Sequence, residues 1–219
     1  MGELIAELLP FAVGVFASPL PVIVAILLLF TPRPRVTSVA YIATWIAGVA
    51  GVTTVIAVLA GAFEGQGYPP QWVTWVRVAV GALLVAAAVK QWINRATKAP
   101  PAWLESIMEA GPGQASRYGL LMSAANPKEL FMALPAGLAV GSSGVGVGAA
   151  AGAIAVFVLV GGLSVILPLA VMILGGDRAL DRLGSARVFL QKHNAAVTAV
   201  VLGVLGLWLL VGGLLKLFA

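Results

Sequence analysis

The chain has 219 residues, of which 61% are apolar and only 10% are charged, with a net charge of +5 and a mean hydropathy of +1.05. Soluble proteins are roughly 45–50% apolar and about 25% charged, so this composition excludes a soluble enzyme, a nucleic-acid-binding protein and a disordered tail. Without cysteine there is no disulfide, thiol redox chemistry or Cys-ligated metal. We therefore predict an all-α polytopic membrane protein with no metal, no cofactor and no nucleic-acid partner.

The first half of the chain, residues 1–93, contains three apolar blocks long enough to cross a hydrocarbon core of about 30 Å as helices. These predicted spans cover residues 4–30, 38–61 and 72–93. The first ends at the sequence TPRPR, residues 31–35, because proline does not continue a helix. Glu3 and Glu7 stand where a secretory signal would be basic, so we predict that the first block is a retained span.

A polar linker, residues 94–117, separates the two halves, and its apolar side chains recur at helical spacing beside Glu105 and Glu109. This pattern predicts a short interfacial helix. The second half, residues 118–219, again contains three predicted spans, which cover residues 118–140, 148–174 and 195–218. The loop before the last span alternates in charge around residues 177–182, which predicts a solvated helix at the membrane surface rather than a catalytic cluster.

The basic residues predict the orientation of the chain. If the N-terminus is outside, ten of the 13 basic residues fall in cytoplasmic loops. They are Arg33, Arg35, Lys90, Arg95, Lys98, Arg117, Arg178, Arg182, Arg187 and Lys192. Since cytoplasmic loops carry an excess of Lys and Arg, we predict six transmembrane helices with both termini outside.

Three spans on each side of a central inner loop make the two halves opposite in orientation, which is the plan of two inverted three-helix repeats. A shift of 108 residues places Pro19 on Pro127 and Ser18 on Asn126. Proline inside a span frees backbone groups that must find partners within the protein. Matched breaks of this kind are typical of transporter sites. We therefore predict that a substrate site is framed by the residues of the two breaks: Ser18, Pro19, Pro21, Asn126 and Pro127.

Two adjacent charges, Lys128 and Glu129, follow the second break. Lys128 lies 11 residues beyond Arg117, or about 16 Å along a helix, which places it near the bilayer midplane. Buried charges here are costly unless they face the protein interior or water. We predict that Lys128 binds an anionic group of the substrate and that Glu129 carries a coupling proton. Two alternatives remain open: a mutual ion pair that holds the break together, and an unwound segment nearer the surface.

Other polar and structural residues are interpreted more simply. Arg77 is predicted to extend its side chain to the outer interface, and His193 has no visible metal-ligating partner in the sequence. Pro135 and Pro168 are interpreted as simple kinks. Gly137 and Gly141 form a small-xxx-small pair that predicts close helix packing.

The motifs resemble a known family. Six spans in two sets of three, the Ser-Pro-x-Pro break at residues 18–21, the TPRPR sequence after it and the Asn-Pro-Lys motif at residues 126–128 are similar to the lysine-exporter superfamily. Within that superfamily the chain most resembles the GAP family of peptidoglycolipid-addressing and sulfolipid-addressing proteins of actinobacteria. Two departures matter: the Pro-Gly-Pro pattern of amino-acid exporters is absent, and Glu129 is not a residue of the family pattern.

The resemblance implies export. We expect a transporter in a bacterial inner membrane that moves a lipid-linked or glycolipid amphiphile outward by alternating access, with an anionic lipid or glycolipid as its substrate. Membrane lipids surround it, and a homo-oligomer is left open. A proton-coupled exporter of a small solute and a non-transporting scaffold of an envelope-lipid machine are the alternatives. An intramembrane enzyme is the least favoured, because no metal cluster and no base near a nucleophile is visible.

Overall fold

A computed structural model describes residues 2–62, 71–96 and 102–218, and within these ranges every regular element is helical. The linker residue Lys98, which is one of the ten basic residues predicted to be cytoplasmic, lies outside the described residues. The helices are α1 (Gly2–Phe16), α2 (Pro19–Leu28), α3 (Pro34–Ala62), α4 (Gln71–Ile93), α5 (Pro112–Ala124), α6 (Pro127–Gly141) and a last helical stretch, Val147–Phe218. In the linker, residues Ala102–Glu109 form a 3-10 helix, where the sequence predicted a short interfacial helix.

Proline residues determine where several of these helices begin. Four helices, α2, α3, α5 and α6, start at a proline, because the fixed φ of proline suits the first helical turn and its missing N–H has no partner there in any case. Between α2 and α3, the hydroxyl of Thr31 donates to the carbonyl of Leu28 (2.7 Å) and lies 2.8 Å from the Thr37 hydroxyl. The TPRPR sequence therefore forms a short, internally bonded turn.

The last helical stretch turns sharply at one residue. Gly176 has φ 58° and ψ −144°, which only glycine adopts readily. We name the part before the turn α7 (Val147–Gly176) and the part after it α8 (Arg178–Leu215). The sequence pattern predicts a surface helix followed by a separate span from residue 195. In the structure both belong to the single helix α8, because the alternating charges contain no helix-breaking residue.

Within the described ranges, four helices are long and apolar enough to cross a membrane: α3, α7, α8 and the part of α4 from Thr74 to Ile93. Helices α1 and α2 meet at a 54° bend and supply a fifth span if they are taken as one broken span. Large apolar side chains on these helices remain exposed, such as Val58 (64%) and Leu215 (67%). The chain is therefore a multi-pass membrane protein. The count of six spans stays a prediction, because α5 and α6 are short helices of 13 and 15 residues.

Helix α3 packs closely against α5 and α6 through glycines. A Cβ atom on Gly119 would lie 2.5 Å from the carbonyl oxygen of Tyr41, and one on Gly137 would lie 2.9 Å from that of Thr53. Gly141 meets the backbone of Ala57 still more closely. The predicted packing role of Gly137 and Gly141 is thus confirmed, since small residues allow helix backbones to approach in a membrane.

The outer helices α4 and α8 make a similar seam. A Cβ atom on Gly81 would lie 2.6 Å from the backbone nitrogen of Leu210, and one on Gly206 would lie 2.9 Å from that of Val85. Helix α1 fits between α7 and α8, where the ring of Phe11 meets the ring of Trp208 edge to face at 5.4 Å. This packing buries the break between α1 and α2 inside the protein.

Candidate substrate site

The two predicted breaks contact each other in the structure. Helix α1 ends at Phe16 and α2 begins at Pro19, while α5 ends at Ala124 and α6 begins at Pro127. Across this contact the ammonium group of Lys128 donates a hydrogen bond of 3.1 Å to the carbonyl oxygen of Ala17. Two segments 111 residues apart in sequence therefore meet beside the two breaks.

In the first break, Ser18 occupies the N-cap position of α2 in an extended conformation, but its hydroxyl makes no capping hydrogen bond. An N-cap side chain normally accepts from the second or third N–H of its helix. Here the third residue is Pro21, which has none, and the N–H of the second residue, Leu20, is not bonded to the Ser18 side chain. The Ser18 N–H instead bonds to the carbonyl of Val15 (3.0 Å). The hydroxyl of Tyr41 donates to the Pro21 carbonyl (2.9 Å), which ties the break to α3.

The second break is capped in the usual way. The side-chain oxygen of Asn126 accepts from the Lys128 N–H at 3.1 Å, and its carbonyl accepts from the Leu130 N–H at 3.0 Å. Asn126 is half-buried, whereas Pro127 is exposed. The N-terminus of α6, which carries a partial positive charge, is therefore held in place by Asn126 close to an accessible surface.

The charged pair next to this break is buried. Lys128 is 8% exposed and Glu129 is 1% exposed, yet among the described residues the two do not form an ion pair within 4 Å. The Glu129 carboxyl group faces the Ser18 hydroxyl closely enough to interact with it, although neither group makes a hydrogen bond of standard geometry within the described chain. The structure therefore does not contain the mutual ion pair of Lys128 and Glu129 that was the alternative.

A cavity of about 440 Å³ opens beside the second break, between the linker 3-10 helix and the beginning of α6. Asn126 and Pro127 line it from one side, Leu20 of α2 from another, and the stacked rings of Trp103 and Tyr118 (5.9 Å apart) form its aromatic end. It is therefore bounded by residues of both breaks, with an amide group, aromatic rings and apolar side chains in its wall.

A larger groove of about 710 Å³ lies between α3 and α7. Its lining is almost wholly apolar and includes Ile46, Ala50, Val58 and Leu159, with Thr54 as a hydroxyl-bearing side chain. Val58 and Leu159 are exposed on the outer surface of these helices. A groove of this kind can take hydrocarbon from the side.

The structure thus separates the predicted site residues into two groups. Ser18, Lys128 and Glu129 meet inside the contact of the two breaks, while Asn126 and Pro127 line the neighbouring cavity. The two prolines of the first break, Pro19 and Pro21, are buried. The roles of the Ala17 carbonyl and the Tyr41 hydroxyl were not predicted, because nothing in the sequence indicates that either residue contacts a distant segment.

Two of the simpler interpretations are also refined. Arg77 forms an ion pair with Glu7 of α1 at 2.7 Å, so its guanidinium group joins α1 to α4 as well as lying near one end of its helix. The Nδ1 atom of His193 lies 2.9 Å from the carbonyl of Phe189, and its ring packs on the Phe189 ring at 4.3 Å. These contacts give His193 a local role on α8.

The comparisons with known proteins agree with the coarser part of the resemblance. The family described as "Sap, sulfolipid-1-addressing protein" matches residues 8–215, which is nearly the whole chain. No curated protein and no solved structure matches the chain significantly. Since a single family covers all the helices from α1 to α8, the chain belongs to the sulfolipid-1-addressing protein family.

Proposed function

We propose that this protein moves an acidic glycolipid from the inner to the outer leaflet of a bacterial inner membrane by alternating access around the two breaks. The family's description names a sulfolipid, which is an anionic amphiphile. The observation that carries the proposal is the contact of two broken helices at a buried lysine, since broken helices frame the central site in many transporters. The substrate's sulfate or a similar anion would bind there.

Lys128 and the N-terminus of α6 are the groups that would hold the anion. A lysine has three N–H donors, and one of them binds the Ala17 carbonyl. The other two remain for a headgroup that enters from the cavity beside Asn126. Helix N-termini also favour anions. Ser18, Pro19 and Pro21 would shape the opposite wall of the site.

The apolar grooves suit the rest of an amphiphile. The substrate's hydrocarbon chains would lie in the groove between α3 and α7, whose lining is apolar and open toward the lipid. A polar headgroup at the breaks and hydrocarbon in a lateral groove need no wide charged channel. The low charge of the chain supports this mode of transport over a water-filled pore.

Inverted repeats and a lysine-exporter type of architecture form part of the proposal. The two breaks are 108 residues apart, and two residues with that same offset, one before each break, pack on a glycine of the other half. Val15 of α1 packs on Gly161 of α7, while Ser123 of α5, 108 residues after Val15, packs on Gly48 of α3. Each first span of one half thus meets the second span of the other half, as a two-fold relation requires.

The transport proposal is tested by leaflet exchange in phosphatidylcholine vesicles with a fluorescent sulfated glycolipid, using a membrane-impermeant reductant that destroys exposed label. Wild-type protein is expected to make the inner-leaflet label accessible. Lys128→Met is expected to reduce the rate about tenfold or more, because a charge-assisted hydrogen bond to the anion is lost. Lys90→Met, which removes an exposed lysine of α4, is the matched control. If no anionic lipid exchanges faster in vesicles that contain the protein than in protein-free vesicles, the proposal is refuted.

A second candidate, a proton-coupled exporter of a small solute, is favoured by one observation. Both carboxyl oxygens of Glu129 are buried and make no standard hydrogen bond within the described chain, which leaves them open to take up a proton. This candidate predicts solute-dependent proton flux in vesicles that is lost in Glu129→Gln and kept in Glu109→Gln, an exposed control. A scaffold role would instead leave the purified protein inactive in both flux assays.

The proposed orientation, with both termini outside, has its own test. The chain contains no cysteine, so single cysteines report their side of the membrane without background. Gly146→Cys, in the loop before α7, is expected to react with an impermeant maleimide added to whole cells. Ser185→Cys, near the start of α8, is expected to react only after lysis. The reverse labelling pattern would overturn the orientation.

A further inference from the structure

The carbonyl of Ala17 is at the C-terminal end of α1, where the chain leaves the helix. In an uninterrupted helix it would accept from the N–H of residue 21, but that residue is Pro21, and Pro19 lacks an N–H as well. An unpaired carbonyl inside a membrane protein is unfavourable. The first break therefore creates an acceptor that the backbone of α1 and α2 leaves unpaired.

Lys128 supplies the missing donor. Its ammonium group binds the Ala17 carbonyl at 3.1 Å from a position that is 92% buried. A lysine in the first turn of α6 lies at the positive end of its own helix, which is the less favourable end for a cation. The same ammonium group lies at the negative, C-terminal end of α1. The position of Lys128 is thus explained by the first break rather than by its own helix.

We infer that Lys128 is a positioning residue: it holds the first break in place by replacing the backbone hydrogen bond that the prolines remove. This inference deepens the proposed function, because it assigns the geometry of the transport site to a contact between the two halves of the chain. It concerns the folded structure, so it is testable without a substrate.

The test compares the effect of removing Lys128 in the presence and in the absence of Pro19 and Pro21, the prolines that leave the Ala17 carbonyl unpaired. Lys128→Met is made in the wild-type chain and in a Pro19→Ala, Pro21→Ala background, where α1 and α2 can close their own hydrogen bonds. In the wild-type chain the substitution is expected to lower the thermal unfolding midpoint by about 3–12 °C. In the background without the two prolines the loss is expected to be at most half as large. An equal loss in both backgrounds would overturn the inference.

Two controls keep the result specific. Pro10→Ala restores an N–H in the middle of α1, away from the break, and is expected to leave the effect of Lys128→Met unchanged; an equal rescue by Pro10→Ala would overturn the inference. If Lys128→Met does not fold, Lys128→Arg is tested in its place, because arginine keeps a cationic donor. This variant is expected to fold and to retain most of the stability. Its failure to fold would also count against the inferred role of Lys128. Leaflet exchange by the same variants tests the proposed transport separately, because stability and exchange are measured independently.

Discussion

Replacement of Gly81 by alanine tests the closest approach of α4 and α8. A Cβ atom at this position would lie 2.6 Å from the backbone nitrogen of Leu210 and 2.9 Å from its Cα. Both are backbone atoms, so no side chain can rotate away. Ordinary contact begins at about 3.4 Å, which means that the two helices must separate by roughly 0.8 Å or distort. Overpacking of this kind costs about 1–3 kcal/mol.

Gly51 of α3 is the matched control, because a Cβ atom there meets nothing within 4 Å. Alanine is favoured over glycine in a helix by about 0.5–1 kcal/mol at either site. The difference between Gly81→Ala and Gly51→Ala therefore isolates the overpacking. For a chain of this size it corresponds to a difference in unfolding midpoint of roughly 2–12 °C, measured by thermal unfolding of both variants in one detergent.

Gly206→Ala, on the facing helix, is expected to behave like Gly81→Ala, since its Cβ atom would lie 2.8 Å from the Cβ of Leu84. Equal midpoints for Gly81→Ala and Gly51→Ala would refute the reasoning. That result would mean that α4 and α8 do not approach each other as closely as the structure has them.

Three further predictions concern single polar contacts, each measured by thermal unfolding. Glu7→Gln removes the partner of Arg77 and is expected to lower stability by about 1 kcal/mol at low salt and by less at high salt. Glu3→Gln, at an exposed site of the same helix, is the control and is expected to have no effect. Equal effects of the two substitutions would contradict the ion pair. Asn126→Ala removes the cap of α6 and is expected to cost about 1 kcal/mol, while Asn126→Ser restores most of it. Tyr41→Phe removes the hydroxyl that binds the first break and is expected to cost about 0.5–1.5 kcal/mol; unchanged stability would show that this hydrogen bond contributes nothing.

Much of the helical arrangement was predictable because its causes are local. The predicted spans 38–61 and 72–93 lie within α3 and α4, since long apolar runs form helices whatever their neighbours are. The two breaks were predicted for the same reason: proline lacks an N–H and ends the preceding helix by its own chemistry. The start of α8 was not predicted, because it depends on the backbone conformation of one residue, Gly176.

The candidate site was predictable only as a set of residues. Ser18, Asn126, Lys128 and Glu129 stand out in the sequence because polar groups are rare inside apolar spans. Their partners do not stand out. The Ala17 carbonyl belongs to an ordinary alanine, and nothing in its neighbourhood indicates that a lysine 111 residues away binds it.

By itself, the amino-acid sequence determined that this protein is helical, that it belongs in a membrane and that proline interrupts its helices at two places. Composition and backbone chemistry act within a few residues, so these properties need no knowledge of the fold. Only the tertiary structure decided that the two breaks meet, that the partner of Lys128 is the end of α1 and not Glu129, and that Arg77 forms an ion pair with Glu7. These contacts depend on how the helices pack, which is set by close approaches between glycines and backbone atoms far apart in sequence.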